Sequence, residues 1–200
     1  MRMTELIELI RWDLRVNRGP SFDRLRAMLL LIEIRGEQYL YHKAERHAGL
    51  PRVLYWLARF FGSGFQWFLC HSNVPGSVSI GRGLRLPHPQ NIIIGYCTEI
   101  GEFCTIYQNV SIAWNGFEPT IPSRPKIGDQ VLLGAGAIVL GDLAIGSYSL
   151  VGAGTVVTQS VPEFSRVTGG RPAISPRFPS PAAAVPGTER HIKDPYSIWS

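Results

Sequence analysis

Aliphatic residues recur every six positions through much of this chain, and glycine often follows them. The aliphatic positions are Val74, Ile80, Leu86, Ile94, Ile100, Ile106, Ile112, Ile127, Leu133, Val139, Ile145, Val151 and Val157. Glycine directly follows seven of these thirteen residues. A period of six matches neither a helix nor the simple alternation of a strand. It is typical of a parallel β-helix, in which short strands alternate with tight bends and each coil buries its aliphatic side chains against the next.

Residues 1–70 lack this repeat and show helical spacing instead. A first helix carries its apolar residues on one face, and Gly19-Pro20 ends it. Ser21 is predicted to begin a second helix that runs to His42, and Pro51 a third that runs to about Phe61, where Gly62-Ser63-Gly64 interrupts it. The sequence therefore predicts a helical region at 1–70, a β-helix at 71–175 with an excursion at 113–126, and a proline-rich extended tail at 176–200.

Residues 51–70 contain many large apolar side chains, and two interpretations stay open. The plainer one is packing between helices or between subunits. The other is peripheral contact with a membrane surface, because arginines accompany the aromatic residues. A full membrane span is not expected, because Arg59, two glycines and Gln66 interrupt a short apolar run.

The net charge is +5, but the basic excess flanks the repeat. Residues 71–162 carry four basic and five acidic side chains. This distribution argues against a nucleic-acid partner, which would favour a continuous basic face. It is compatible with an anionic small ligand at the C-terminal end of the repeat or with an anionic surface at the helices.

The three cysteines, Cys70, Cys97 and Cys104, have no metal-binding spacing, and Cys104 occupies a core position of the repeat. We interpret them as small buried side chains. No cluster of histidine, cysteine or acidic residues predicts a metal site. No cleavable N-terminal signal pattern is recognised, so the sequence predicts a cytoplasmic protein.

Two irregularities interrupt the repeat, and breaks in a regular scaffold often carry function. The first is a two-residue excess between Leu86 and Ile94, which contains Pro87-His88-Pro89. The second is the excursion between Ala113 and Lys126. We expect this excursion to project from the coil and to form one side of a site on a neighbouring face or subunit.

Four segments resemble the serine acetyltransferase branch of the hexapeptide-repeat acyltransferases. They are GRGLRLPHPQNIIIG, TEIGEFCTIYQNVSI, RPKIGDQVLLGAGAIVLGD and YSLVGAGTVVTQSVP, and the likeness covers about residues 71–175. The resemblance implies a mainly β protein built on a left-handed parallel β-helix, an exception to the usual right-handed crossover. It also implies a homotrimer that binds acetyl-CoA between adjacent subunits.

His88 occupies the position of the family's catalytic histidine. Acyl transfer from a thioester to an alcohol needs a base that removes the hydroxyl proton near neutral pH, and histidine suits that role. The family's aspartate that orients this histidine aligns with Asn73, which is therefore the second candidate catalytic residue.

Other differences between this chain and the family concern the residues that would bind the acceptor. The family's aspartate before the histidine is Pro87 here, and its second active-site histidine aligns with Arg124. The aspartate of the family's N-terminal domain falls near Gly19-Pro20. The carboxylates that would hold the ammonium group of serine are therefore expected to be missing. A sugar hydroxyl needs no ammonium pocket, and Arg124, Trp114 and Asn115 are candidate acceptor-binding residues.

The resemblance implies that acetyl-CoA, the acetyl donor, binds at two Gly-Ala-Gly segments. Their small residues let the pantetheine arm approach the backbone. The candidate residues are Ala135, Gly136, Ala153, Gly154 and, for the phosphates, Arg171.

Three functions remain open after this comparison. The preferred one is an acetyl-CoA-dependent O-acetyltransferase that acts on a sugar or another small alcohol, similar to enzymes of polysaccharide pathways. The first alternative is a serine O-acetyltransferase of cysteine biosynthesis, and the second is a trimeric scaffold without catalytic activity.

Overall fold

A computed structural model describes residues 1–114 and 124–170 of the chain. Three helices come first, and twelve short strands follow. The helices are α1 (Met3–Val16), α2 (Phe22–Arg46) and α3 (Leu50–Cys70). The strands are β1 (Ser79–Ile80), β2 (Ile93–Ile94), β3 (Glu99–Ile100), β4 (Thr105–Ile106), β5 (Ser111–Ala113), β6 (Lys126–Ile127), β7 (Leu132–Leu133), β8 (Ile138–Leu140), β9 (Ala144–Ile145), β10 (Leu150–Val151), β11 (Val156–Val157) and β12 (Arg166–Val167).

The strands form three parallel sheets of four strands each. Sheet 1 contains β1, β3, β6 and β9; sheet 2 contains β4, β7, β10 and β12; sheet 3 contains β2, β5, β8 and β11. The chain passes from sheet 1 to sheet 2 to sheet 3 and returns, so each circuit is one coil of a left-handed parallel β-helix. This architecture confirms the fold class predicted from the six-residue period.

The aliphatic series fills the interior of the coils, as the period predicts. All thirteen of its members are buried, and the registers align them coil by coil, for example Ile106 with Leu133 and Leu133 with Val151. The glycines that follow them are needed because adjacent coils approach closely. A Cβ at Gly134 would lie 2.6 Å from the backbone nitrogen of Ala153. Left-handed backbone occurs elsewhere in the turns, for example at Asn91 and Asn109.

Polar side chains of the helices bind the backbone of the first coil. The buried Asp13 of α1 accepts hydrogen bonds from the backbone N–H of Gly83 and Leu84, at 2.9 and 3.0 Å. The buried Arg35 of α2 contacts Asp13 at 2.8 Å and donates to the carbonyls of Ile80 and Gly81. An open edge of a β-structure exposes unpaired backbone groups, so these side chains cap the end of the β-helix.

The helix α3 differs from its prediction, because it continues without interruption through Gly62-Ser63-Gly64 to Cys70. Gly62 is buried, and a side chain there would collide with the carboxylate of Glu33 on α2. Gly62 therefore lies where α3 packs against α2, and it does not end the helix. None of the three helices is both long enough and apolar enough to cross a membrane.

Candidate functional site

The corner that joins sheet 2 to sheet 3 is built from stacked turns, one from each coil. Its first turn is residues 87–91, followed by 107–110, 134–137 and 152–155. Backbone hydrogen bonds connect the turns in order: Asn109 donates to Gln90, Gly136 to Gln108, and Gly154 to Ala135. We call this stack the His88 corner, because His88 lies in its first turn.

The turn that carries His88 is fixed from two sides. On the helical side, the side chain of Asn17 accepts a hydrogen bond of 2.9 Å from the backbone N–H of Leu86, two residues before the histidine. On the other side, the Ser72 hydroxyl donates to the carbonyl of Pro89 at 2.8 Å. The extra residues that interrupt the six-residue period thus form a defined turn, and His88 has a fixed backbone position.

A carboxylate holds the ring of His88. The Nδ1 atom lies 2.9 Å from Oδ2 of Asp23, which belongs to the first turn of α2. The other oxygen of Asp23 accepts a hydrogen bond of 2.7 Å from the amide of Gln90, and Arg26 lies 3.9 Å away. The hydrogen bond with His88 holds the pKa of the Asp23 carboxyl below its ordinary value. The site therefore contains an oriented imidazole with an ionised partner.

Asp23 is not among the catalytic residues that the resemblance implies. The family's orienting aspartate aligns with Asn73. The aspartate of the family's N-terminal domain aligns near Gly19-Pro20, three to four residues before Asp23. In the structure the side-chain oxygen of Asn73 accepts a hydrogen bond of 2.6 Å from Arg59 instead. In the structure Asp23, and not Asn73, therefore holds the ring of His88. An acidic residue in the first turn of a predicted helix was the available signal, but 65 residues separate it from His88.

The predicted donor residues lie on the same corner as His88. Gly136 and Gly154 have left-handed backbone, with φ of 69° and 66°, and leave open space where side chains would stand. The side-chain oxygen Oε1 of Gln108, one coil away, is buried and has no hydrogen-bond partner among the described residues. Arg171 and Asn115 lie outside the described residues.

The predicted acceptor residues lie on a different corner. Trp114 follows β5 of sheet 3, and Arg124 precedes β6 of sheet 1. The guanidinium of Arg124 donates to the carbonyl of Tyr96 at 3.2 Å. Within one chain, the structure does not bring these two residues together with His88.

Comparisons with known proteins agree with this architecture. The bacterial transferase hexapeptide family (six repeats) matches residues 124–159. A serine acetyltransferase of Bacillus subtilis is 37% identical over 123 residues, which are 62% of this chain and 56% of that enzyme. The soybean serine acetyltransferase complexed with serine covers 84% of this chain and 68% of its own, at 25% identity and a TM-score of 0.70. A serine acetyltransferase of Neisseria gonorrhoeae is 27% identical and has a TM-score of 0.70. The match covers 84% of this chain and 66% of that enzyme.

These findings confirm the predicted resemblance to serine acetyltransferase-like hexapeptide-repeat transferases. The match spans little more than half the length of the Bacillus relative. A closer similarity to polysaccharide-pathway enzymes stays a prediction.

Proposed function

We propose that this chain is an acetyl-CoA-dependent O-acetyltransferase in which His88 is the general base. The observation that carries the proposal is the contact of 2.9 Å between His88 and Asp23, on the corner that also carries both Gly-Ala-Gly turns. Relatives named as serine acetyltransferases support the same chemistry.

The partner of His88 sets which ring nitrogen can act. An ionised carboxylate only accepts hydrogen bonds, so Nδ1 of the neutral imidazole carries the proton and donates it to Asp23. The lone pair is then on Nε2, which takes the proton from the acceptor hydroxyl as that oxygen attacks the acyl carbon. The C–S bond of the thioester then breaks, and the departing CoA sulfur takes the proton from the imidazolium. A positioned general base contributes roughly 10²–10⁴ in rate. Asp23 also stabilises the imidazolium that results.

The donor would lie along the His88 corner, and acetyl-CoA would supply the activated acetyl group. Three features of the corner fit a pantetheine arm. Gly136 and Gly154 leave room against the backbone. Oε1 of Gln108 is a buried acceptor that has no partner in the described part of the chain, and it suits an amide N–H. Successive coils are about 4.8 Å apart, so the turns from Gln90 to Ala153 span about 14 Å. Arg171 stays the predicted partner of the phosphates.

For the acceptor, the comparisons favour L-serine, the alternative, over the sugar that the sequence predicted first. The relatives are serine acetyltransferases, and one was solved with serine bound. One observation keeps the sugar as a second candidate. Asp23 is engaged with His88 and Gln90, and the residue directly before His88 is Pro87, which has no carboxylate to meet an ammonium group.

We propose that the enzyme works as a homotrimer. Trp114 and Arg124 stand on another corner of the same chain, and they would approach His88 only from a neighbouring subunit. This arrangement agrees with the resemblance, which implies a site between subunits.

The experiment that tests the proposal measures CoA release from acetyl-CoA with L-serine and, separately, with a panel of sugars. The substitution His88→Ala should abolish acceptor-dependent release. His42→Ala is the matched control, because His42 is a half-exposed histidine of α2 that should leave activity unchanged. Turnover with serine but with no sugar would decide for the serine enzyme, and the reverse would decide for the sugar enzyme. Release that His88→Ala retains would contradict the general base, and failure to bind CoA at millimolar concentration would favour the scaffold.

A further inference from the structure

The helix α3 has an inverted distribution of polar and apolar side chains. Surface helices of globular proteins turn their apolar side toward the core and their polar side toward water. In α3 the long polar side chains Arg52, Arg59 and Gln66, spaced seven apart, are bonded to neighbouring protein groups. Most of the apolar side chains point outward instead. Those with more than two fifths of their surface exposed are Leu50, Val53, Leu54, Trp56, Leu57, Phe60, Phe61, Phe65, Trp67 and Phe68.

The exposed apolar surface continues onto α2. Phe22, Leu25, Leu29 and Ile32 are exposed at helical spacing. A groove of about 530 Å³ between the two helices is lined by Ile32, Leu40, Phe61 and Phe65. We call this combined surface of α2 and α3 the helical apolar face. At 1.5 Å per residue, its α3 part alone is about 30 Å long.

Two carboxylates, Glu33 and Glu37, line the floor of the groove, and both are engaged with protein groups. Glu33 accepts a hydrogen bond of 2.7 Å from Gln66. Glu37 accepts one of 2.8 Å from the backbone of Gly76 and lies 3.6 Å from Arg59. Oε2 of Glu37 is buried and has no hydrogen-bond partner among the described residues, and the rest of the groove lining is mostly apolar.

We propose that the helical apolar face binds the surface of an anionic lipid bilayer, with α3 lying in the plane of the interface. Phenylalanine, tryptophan and leucine on one side of a helix are what such helices insert among the acyl chains. Charge agrees with this occupant, because α3 contains no acidic residue and Arg52, one of its two arginines, is exposed. Lys43 and Arg46 are exposed at the end of α2 that leads into α3. Cations at the border of an apolar helix face suit anionic headgroups.

A second copy of the chain is the competing occupant, and the composition of the face argues against it. Interfaces between proteins combine apolar area with about one hydrogen bond per 100–200 Å². Along α3, which the structure describes throughout, the outward residues are the apolar ones named above, Arg52, Ser63 and Gly64. Arg52 is bonded to the carbonyl of Ala44, and the Ser63 hydroxyl to that of Phe60. A bilayer needs no hydrogen bonds from this surface.

The proposal also places His88 near the membrane. Asp23, which holds His88, directly follows Phe22 at one end of the face. Membrane binding itself does not depend on the catalytic proposal, because His88 is not part of the face. The His88→Ala variant is therefore expected to bind vesicles as the unmodified chain does.

The test is flotation of the full chain with vesicles made of equal parts phosphatidylcholine and phosphatidylglycerol, and with vesicles of phosphatidylcholine alone. We expect the chain to float with the anionic vesicles. The double substitution Phe60→Gln with Phe68→Gln should lower this binding at least tenfold, because these side chains are 73% and 82% exposed and support little of the fold. The matched control is Phe164→Gln on the β-helix, where a phenylalanine is 74% exposed. It should bind as the unmodified chain does.

Three outcomes would overturn the proposal. The first is a chain that floats with neither kind of vesicle. The second is binding that the double variant retains and that high salt abolishes, which would indicate adsorption through charge alone. The third is an oligomer that the double substitution dissociates while vesicle binding is unchanged, which would assign the face to a second copy. Unchanged thermal unfolding of the variants would establish that each one is folded.

Discussion

The substitution Asp23→Asn changes one oxygen of the site to an amide nitrogen, and the neighbouring Gln90 decides which way the new amide points. The Gln90 amide donates to Oδ1 of Asp23 at 2.7 Å, so it would hold the carbonyl oxygen of the asparagine. The amide nitrogen would then face Nδ1 of His88 and donate to it. The imidazole would carry its proton on Nε2, the atom that must accept the proton of the hydroxyl.

The size of the effect follows from the exposure of the pair. A hydrogen bond to a charged group contributes about 1.5–3 kcal/mol, or roughly a factor of 10 to 150 in rate. The side chains of His88 and Asp23 are 52% and 29% exposed, so water replaces part of a lost contact. We therefore expect Asp23→Ala to lower kcat by about tenfold. Asp23→Asn should lower kcat by about a hundredfold, because it stabilises the wrong tautomer.

Steady-state kinetics of CoA release would measure these changes, with kcat determined together with separate KM values for acetyl-CoA and for the acceptor. A positioning role lowers kcat and leaves the KM of acetyl-CoA unchanged. Adding Gln90→Ala to Asp23→Asn should recover part of the activity, because the amide is then free to turn. If both single variants stay within about twofold of the unmodified enzyme while His88→Ala is inactive, the reasoning about Asp23 is refuted.

Three further predictions concern stability and the donor site. Asp13→Ala should lower the free energy of unfolding by about 3–5 kcal/mol in urea titrations, because it leaves Arg35 buried without its partner. Glu102→Ala, which breaks an exposed ion pair, should cost less than about 1 kcal/mol and serves as the control. Burial raises the pKa of Glu33 from 4.5 to about 7. Between these two pH values the folded state therefore keeps a proton on Glu33 that the unfolded state has lost. Stability should therefore fall by up to about 3 kcal/mol as the pH rises from 5 to 8, and Glu33→Gln should remove most of this dependence. Gly154→Asn should raise the KM of acetyl-CoA more than tenfold, because the asparagine side chain would fill the His88 corner where the donor is placed. The fold should stay intact, because asparagine tolerates left-handed backbone. An unchanged KM would contradict the placement of the donor.

The sequence was sufficient to predict the β-helix because burial in this fold depends on position within the repeat. The six-residue period identified interior residues such as Ile112 and Val139 without knowledge of their partners, and both are fully buried. The same period exposed the irregular turn at His88. Each of these inferences needs only neighbours along the chain.

The contacts between the helices and the β-helix could not be predicted in this way. Asp23 meets His88 across 65 residues, and Asp13 meets Leu84 across 71, so both contacts depend on how the helices dock. Asp13 and Arg35 carry no local sequence signal of burial, yet both are buried. Gly62 predicted a helix break, because the sequence does not reveal the carboxylate that lies against it.

One physical requirement connects these unpredicted features. The first coil of a β-helix has no preceding coil, so its backbone groups need other partners. The helices supply them through Asp13, Arg35 and Gln66, and they must turn these polar side chains inward to do so. The same docking brings Asn17 to Leu86 and Asp23 to His88, which fixes the catalytic turn. A helix whose polar side chains are used inward can present apolar ones outward, as α3 does. The cap of the β-helix, the orientation of His88 and the helical apolar face are therefore consequences of the same packing, and a substitution that loosens the docking of the helices should affect all three.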